Sequence, residues 1–303
     1  KVYRMKVGRL PEGGPATRGR PMVNLLPLAN GETIRTVLPL PEDEAEWANL
    51  HVMFATAKGS VRRNSMDAFA NIPSNGKIAM KFEGDDADDR LIGVALLTEE
   101  DDVLLASRQG KAIRFRGDDV REFQSRNSTG VRGMTLKEGD EVISLSILHR
   151  AGIKDMDERE DYLRFAPWKA EKEGQPTMSA ERFEELRARE QFILTVCANG
   201  YGKLSSAFEY RRTGRGGQGI TNIDNIERNG PVVASFPATQ EDQLMLVTDQ
   251  AKLIRMGLDS LRVIGRGSAG VRLFDVAKDE HVVSAARIEE SNDEEAGEES
   301  AEA

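Results

Sequence analysis

Four stretches of this chain can be laid over one another, and that self-similarity limits the fold more than any single motif does. They open His51-Val-Met-Phe-Ala-Thr-Ala-Lys-Gly-Ser-Val-Arg-Arg, Asp102-Val-Leu-Leu-Ala-Ser-Arg-Gln-Gly-Lys-Ala-Ile-Arg, Phe192-Ile-Leu-Thr-Val-Cys-Ala-Asn-Gly-Tyr-Gly-Lys and Gln243-Leu-Met-Leu-Val-Thr-Asp-Gln-Ala-Lys-Leu-Ile-Arg. Each reads as an apolar strand, a tight turn, and a second strand carrying Lys or Arg. The turn residues Gly59, Gly110, Gly200 and Ala251 are 51, 90 and 51 positions apart, so the middle interval holds one period plus 39 residues. That places an insertion at 151–190. A second glycine follows each turn residue by 17 to 20 positions, at Gly76, Gly130, Gly219 and Gly270, and a strand-like run follows it. A last apolar run closes each unit, as in Val142-Ile-Ser-Leu-Ser-Ile-Leu.

Short strands with turn signals at even spacing predict an all-β fold. Four strands per unit of about fifty residues predict propeller blades around an axis, each needing a neighbour to cover its apolar face. The units fall at about 1–40, 50–98, 102–149, 191–237 and 242–288, within one domain spanning 1–288. The first is a truncated copy with strands expected at 2–7, 19–26 and 32–38. First strands such as Val103-Leu-Leu-Ala are apolar throughout, as expected when both faces are covered. Second strands alternate: Ile113 and Phe115 oppose Arg114 and Arg116, while Tyr3, Met5 and Val7 oppose Arg4 and Lys6. In the insertion, Ser179 is placed to cap a helix over 180–189. The chain opens without a methionine, in mid-pattern, as if cut from a longer one.

The charge is unevenly spread. Fifty-one acidic against 42 basic residues give −9, but residues 289–303 alone carry eight acids and no base. That tail has no large apolar residue and is expected to be disordered. The insertion adds eleven acids and eight bases, which leaves the rest of the chain near +2. A single cysteine, Cys197, excludes an internal disulfide and, inside a first strand, reads as core filler. No apolar run approaches the length of a membrane span. The histidines His51, His149 and His281 stand alone in separate units, and acid pairs such as Asp85–Asp86 sit in acid-rich loops. No metal-ligand spacing, phosphate-cradling loop or catalytic constellation is present, so the chain itself reads as non-catalytic and free of cofactor.

What does recur is positive charge. Just after the first turn come Arg4 and Lys6; Arg62 and Arg63; Lys111, Arg114 and Arg116; Lys203; Lys252 and Arg255. Around the second glycine come Arg18 and Arg20; Lys77; Arg126 and Arg132; Arg211, Arg212 and Arg215; Arg262, Arg266 and Arg272. A repeat fold brings equivalent positions to one rim, turning scattered cations into a band that attracts a polyanion whatever the net charge. With only 6% aromatics, stacking platforms for single strands are scarce, and duplex backbone recognition is the expectation. The alternative from another class is a protein-docking propeller whose rim charges are simply solvated.

Several strings are similar to a known family. Arg18-Gly-Arg-Pro-Met-Val-Asn-Leu-Leu-Pro-Leu, Asn127-Ser-Thr-Gly-Val-Arg-Gly, Asn199-Gly-Tyr-Gly-Lys and Gly265-Arg-Gly-Ser-Ala-Gly-Val resemble the C-terminal domain of the DNA gyrase A protein. The resemblance implies a six-bladed β-pinwheel, a propeller-like disc with altered strand order, which this chain enters inside the second blade. It implies duplex DNA wrapped on the basic rim, in a bacterial cytoplasmic type IIA topoisomerase that introduces negative supercoils. The implied partners are double-stranded DNA, the gyrase A N-terminal cleavage core and the gyrase B subunit. ATP and magnesium would be handled by other regions or subunits, and none of Tyr3, Tyr162, Tyr201 or Tyr210 would be catalytic. The equivalent module of topoisomerase IV is the nearest alternative. The family's basic box (Gln, a base, Arg, Gly, Gly, a base, Gly) has no full copy here; Arg215-Gly-Gly-Gln-Gly matches part of it, with Gln218 replacing a base.

Overall fold

A computed structural model describes residues 1–14, 17–125, 128–170, 173–224 and 226–288. The tail expected to be disordered lies outside them. The repeats fold as four antiparallel sheets in a propeller-like array, and each first strand is the one on which its sheet is built. The second unit gives β1 (His51–Thr56), β2 (Ser60–Ser65) and β3 (Leu91–Leu97); the third gives β4 (Asp101–Ser107), β5 (Lys111–Arg116), β6 (Val131–Arg132) and β7 (Val142–His149). The fourth gives β8 (Phe192–Cys197), β9 (Tyr201–Ser206), β10 (Ile220–Thr221) and β11 (Val232–Pro237). The fifth gives β12 (Gln243–Thr248), β13 (Leu253–Gly257), β14 (Val271–Arg272) and β15 (Val282–Ile288).

Strand order departs from one blade per unit. The sheets run β3-β1-β2-β6, β10-β5-β4-β7, β11-β8-β9-β14 and β13-β12-β15. The short strand after each second glycine therefore leaves its own unit and pairs with the second strand of the preceding one. Val131 pairs with Val61, Ile220 with Ala112, Val271 with Gly202, and Val2 bridges to Lys77. The second glycines permit this close approach. Gly130, Gly219 and Gly270 have φ of +109°, +74° and +75°. A Cβ on Gly270 would sit 2.7 Å from the Gly202 carbonyl oxygen, and one on Gly130 or Gly219 would strike the carbonyl of Val61 or Ala112.

The last strands β3, β7, β11 and β15 pack in that order into an inner row, so the second strands and the exchanged segments lie on the outer side. First strands are covered on both sides, because alternate residues serve opposite neighbours. Val103 and Leu105 pack with Met53, Val61 and Leu97 of the preceding blade. Leu104 and Ala106 pack with Ile193, Ala207 and Tyr210 of the next. A fully buried leucine of this kind contributes about 1.5–3 kcal/mol, so the blades stabilise one another more than themselves. Cys197 is fully buried beside Ile223 and Val232, and burial pushes its thiol up to about 12. No described segment pairs with the outer edge of β13, and β12 buries only alternate residues.

Two expectations need correction. The strands expected in the first unit are absent among the described residues: there is the Val2 bridge, with short 3-10 turns at Val7–Arg9 and Met22–Asn24. Second and last strands bond to a first strand, and the described residues of 1–49 contain none. The insertion also holds more structure than expected. Beside α2 (Ala180–Ala188), capped by Ser179 as anticipated, it contains α1 (Met156–Phe165), capped by Asp155. The two helices bury Tyr162, Leu163, Ala166 and Leu186 against Phe208, with the Tyr162 and Phe208 rings edge-to-face at 5.3 Å.

Candidate nucleic-acid interface

From the second unit to the fourth, strand exchange lays the next unit's second-glycine segment against a cation-bearing second strand, but burial then divides the recurring cations. Arg62 and Lys203 occupy equivalent positions, three residues after the turn glycine, and both are 0% exposed. Arg62 donates from Nη1 to the Ser128 carbonyl at 2.6 Å, and from Nε to Asn64 at 3.0 Å. Lys203 donates to the carbonyls of Gly265, at 3.0 Å, and Arg266. Burial pulls its ammonium down to about 7, partly opposed by Glu209. Each of these cations thus braces the segment that the following unit lays across its strand. Arg63 is also buried, at 8% exposure, where β2 meets Glu122.

A second set is half-buried and tied to the protein. Lys77 donates to the carbonyls of Ala68 and Asn71, and Lys111 to the Thr221 hydroxyl at 3.2 Å. Arg114 meets Asp102 at 2.9 Å and the Ala207 carbonyl at 2.9 Å, and desolvation lowers its pKa against the pull of Asp102. Arg266 bonds the carbonyls of Glu209 and Thr221. Around Asp102 and Asp118 four arginines gather. Arg150 bonds both carboxylates at 2.9 Å, Arg116 clasps Asp118, and Arg212 approaches Asp102 to 3.9 Å. With Asp119, which accepts the Arg116 backbone N–H, three carboxylates face four guanidinium groups.

The remaining expected residues are exposed. Arg4 pairs with Glu44 and covers the Trp47 ring, Lys252 pairs with Glu280, Arg272 pairs with Asp275, and Arg255 bonds Gln243. Lys6, Arg18, Arg20, Arg132, Arg211 and Arg262 present their side chains to solvent. Arg215 leans from the fourth unit onto the backbone of the third, bonding the carbonyls of Asp119 and Arg132 at 3.1 and 3.0 Å. It thereby brings the 213–219 loop beside Arg132. Arg126 lies outside the described residues.

Two residues at this edge escape the repeat pattern. Arg228 lies over the Tyr201 ring at 4.3 Å, on the side chain whose hydroxyl accepts from Arg272 at 2.9 Å. Arg150 follows a last strand, where no other unit carries a base, so recurrence does not mark it. Several carboxylates of the acid-rich loops serve the fold. Asp89 and Asp140 accept backbone N–H bonds that fix the first turns, and Asp101 is buried against Thr98 and His149. Among the described residues, no group of three or more His, Cys, Asp or Glu could hold a metal ion, and no helix is long and apolar enough to cross a membrane.

The comparisons with known proteins agree with this geometry. The family described as DNA gyrase C-terminal domain, beta-propeller, matches residues 1–41, 50–97, 101–149, 191–239 and 242–289. The DNA gyrase A protein of Granulibacter bethesdensis is 48% identical over 94% of this chain and 32% of its own length, so the chain spans about a third of that relative. Among solved structures, the C-terminal domain of a DNA topoisomerase IV aligns with a TM-score of 0.68 and 18% identity, over 89% of this chain and 71% of that one. A DNA gyrase A C-terminal domain aligns with 0.62 and 19%, over 89% and 75%. At such identities the structural likeness speaks to fold alone; the family assignment rests on the sequence match, which leaves out short segments between units, the insertion and residues 290–303. This chain belongs to the DNA gyrase C-terminal domain family, with its beta-propeller fold.

Proposed function

We propose that this chain is a non-catalytic module that binds and wraps duplex DNA on its outer edge. In the complete enzyme it would present a crossed DNA segment to the gyrase A cleavage core and so support ATP-dependent negative supercoiling with the gyrase B subunit, in the bacterial cytoplasm. ATP and magnesium would act elsewhere in that assembly. The observation that carries the reading is strand exchange. It supports an outer band drawn from exposed arginines of successive units, Arg132, Arg211 and Arg215, and Arg262, to which the exposed Arg18 and Arg20 of the first unit would add. Such a band suits phosphates spaced along a duplex and carries no base-reading pattern.

The contact set is narrower than the sequence suggests. Arg62, Arg63 and Lys203 have too little exposure to reach a phosphate and are assigned to the scaffold. Gyrase is favoured over topoisomerase IV by the 48% identical relative and the family match. Closing nicked circular plasmid in the presence of the chain tests wrapping. The linking number should shift in proportion to bound protein; closure at the linking number of free plasmid, despite saturation, would reject wrapping.

A further inference from the structure

The insertion is tied into the outer edge around Phe208 and Glu209. The Glu209 carbonyl oxygen accepts from Arg159 Nη2 at 3.3 Å and from Arg266 Nε at 3.1 Å. A guanidinium from α1 and one from the loop of the fifth unit are therefore neighbours. Arg159 is further held by Nε donating to the Phe208 carbonyl at 2.6 Å. The Glu209 carboxylate is already engaged: it accepts the Arg266 backbone N–H and faces Lys169 Nζ at 3.7 Å. Two residues on, Arg211 is exposed. The Glu209 and Glu160 carboxylates thus stand among Arg159, Arg266 and Lys169, with exposed Arg211 two residues from Glu209 and the buried Lys203 bonded to the carbonyls of Gly265 and Arg266.

Gathering guanidinium groups this way costs free energy unless an anion joins them. Burial lowers the Arg159 pKa; Glu160 and Glu209 oppose that, while Arg266 and Arg211 add to it. Nε and one Nη of both Arg159 and Arg266 are spent on carbonyls, which leaves Arg159 Nη1 and Arg266 Nη2 to give charge-assisted hydrogen bonds to phosphate oxygens. The edge faces solvent, since Arg211 is exposed and Arg159 and Arg266 are partly so.

We propose that Arg159, Arg211 and Arg266 form a phosphate-binding subsite for duplex DNA, completed by the insertion, which extends the duplex path beyond the positions the repeat supplies. This rests on the outer-edge reading above. Residues 151–190 lie outside the family match, so the subsite is an addition to the shared framework.

The test uses the full chain and a long linear duplex, with affinity measured across a salt series. Arg159→Gln should weaken binding about tenfold at low salt and flatten the slope of log K against log salt by about 0.9, the loss of one phosphate contact. Arg164→Gln, on the exposed side of the same helix, should leave both unchanged. Glu160→Gln, at an exposed position beside Arg159, should tighten binding about twofold, and it keeps the test open if Arg159→Gln does not fold. A steep parental slope with folded Arg159→Gln at parental affinity overturns the subsite and leaves the outer-edge reading intact. An unfolded Arg159→Gln with Glu160→Gln at parental affinity overturns it equally. A flat parental slope overturns both.

Discussion

Arg114 separates the two roles that cations play in this fold, and replacing it with leucine measures the division. Its side chain is 10% exposed and Asp102 is 1% exposed, with 2.9 Å between Nε and Oδ2. Removing one partner of a buried pair costs about 3–5 kcal/mol. Here Arg150 keeps its own 2.9 Å bond to Asp102, which favours the lower end of that range. The Ala207 carbonyl, which accepts from Arg114 Nη1, loses that donor, for about 1 kcal/mol more. The expected loss is about 4 kcal/mol. With a urea m-value of about 3 kcal/mol/M, the unfolding midpoint followed by circular dichroism should fall by about 1.3 M. Duplex affinity of the folded variant, measured well below that midpoint, should stay within about twofold of the parent. An unchanged midpoint together with weakened, less salt-dependent binding would refute the reasoning and return Arg114 to the set of phosphate contacts.

Other expectations follow from the same geometry. Gly270→Ala forces a Cβ at φ +75° to within 2.7 Å of the Gly202 carbonyl, so it should lower the urea midpoint of the last two blades, at about 1–2 kcal/mol for the backbone conformation alone; parental stability would count against strand exchange there. In the insertion, hydrogen bonds from Arg182 first, then the Lys154 N–H, hold Glu158 at about 2 despite partial burial. Because that lies below the unfolded value of about 4.3, its stabilisation is complete above pH 4.3 and fades as pH falls toward 2. Trp168 fluorescence should report that loss in the same window, and a transition centred above pH 5 would point to another group. Removing residues 289–303, whose eight acids would compete with DNA for the outer edge, should tighten duplex binding at low salt; no change would make the tail irrelevant to binding.

Much of this is legible from periodicity. The 51-residue spacing locates the units and the insertion, and the glycine pairs mark both turns. Strand exchange is not legible, because a two-residue strand such as Val131–Arg132 looks the same whichever blade it joins. Exposure of the cations is lost with it. Alternation assigns a residue to a face of its own strand, whereas the covering of Arg62 and Lys203 comes from carbonyls 66 and 62 positions away. Arg150, Arg159 and Arg228 escape for the opposite reason: they occupy non-repeating segments, and a search for recurrence passes over them. The first unit fails as a sheet because alternation at 2–7 signals a strand but cannot supply the first strand it would pair with.

The central claim is that an outer band of exposed arginines holds duplex phosphates without reading sequence. It is tested most directly by the salt dependence of binding to two long duplexes of unrelated sequence. The account predicts equal affinities and a steep, linear fall of log K with log salt, with Arg132→Gln and Arg215→Gln each flattening the slope by about 0.9. A slope near zero, or affinity confined to one of the two sequences, would contradict it.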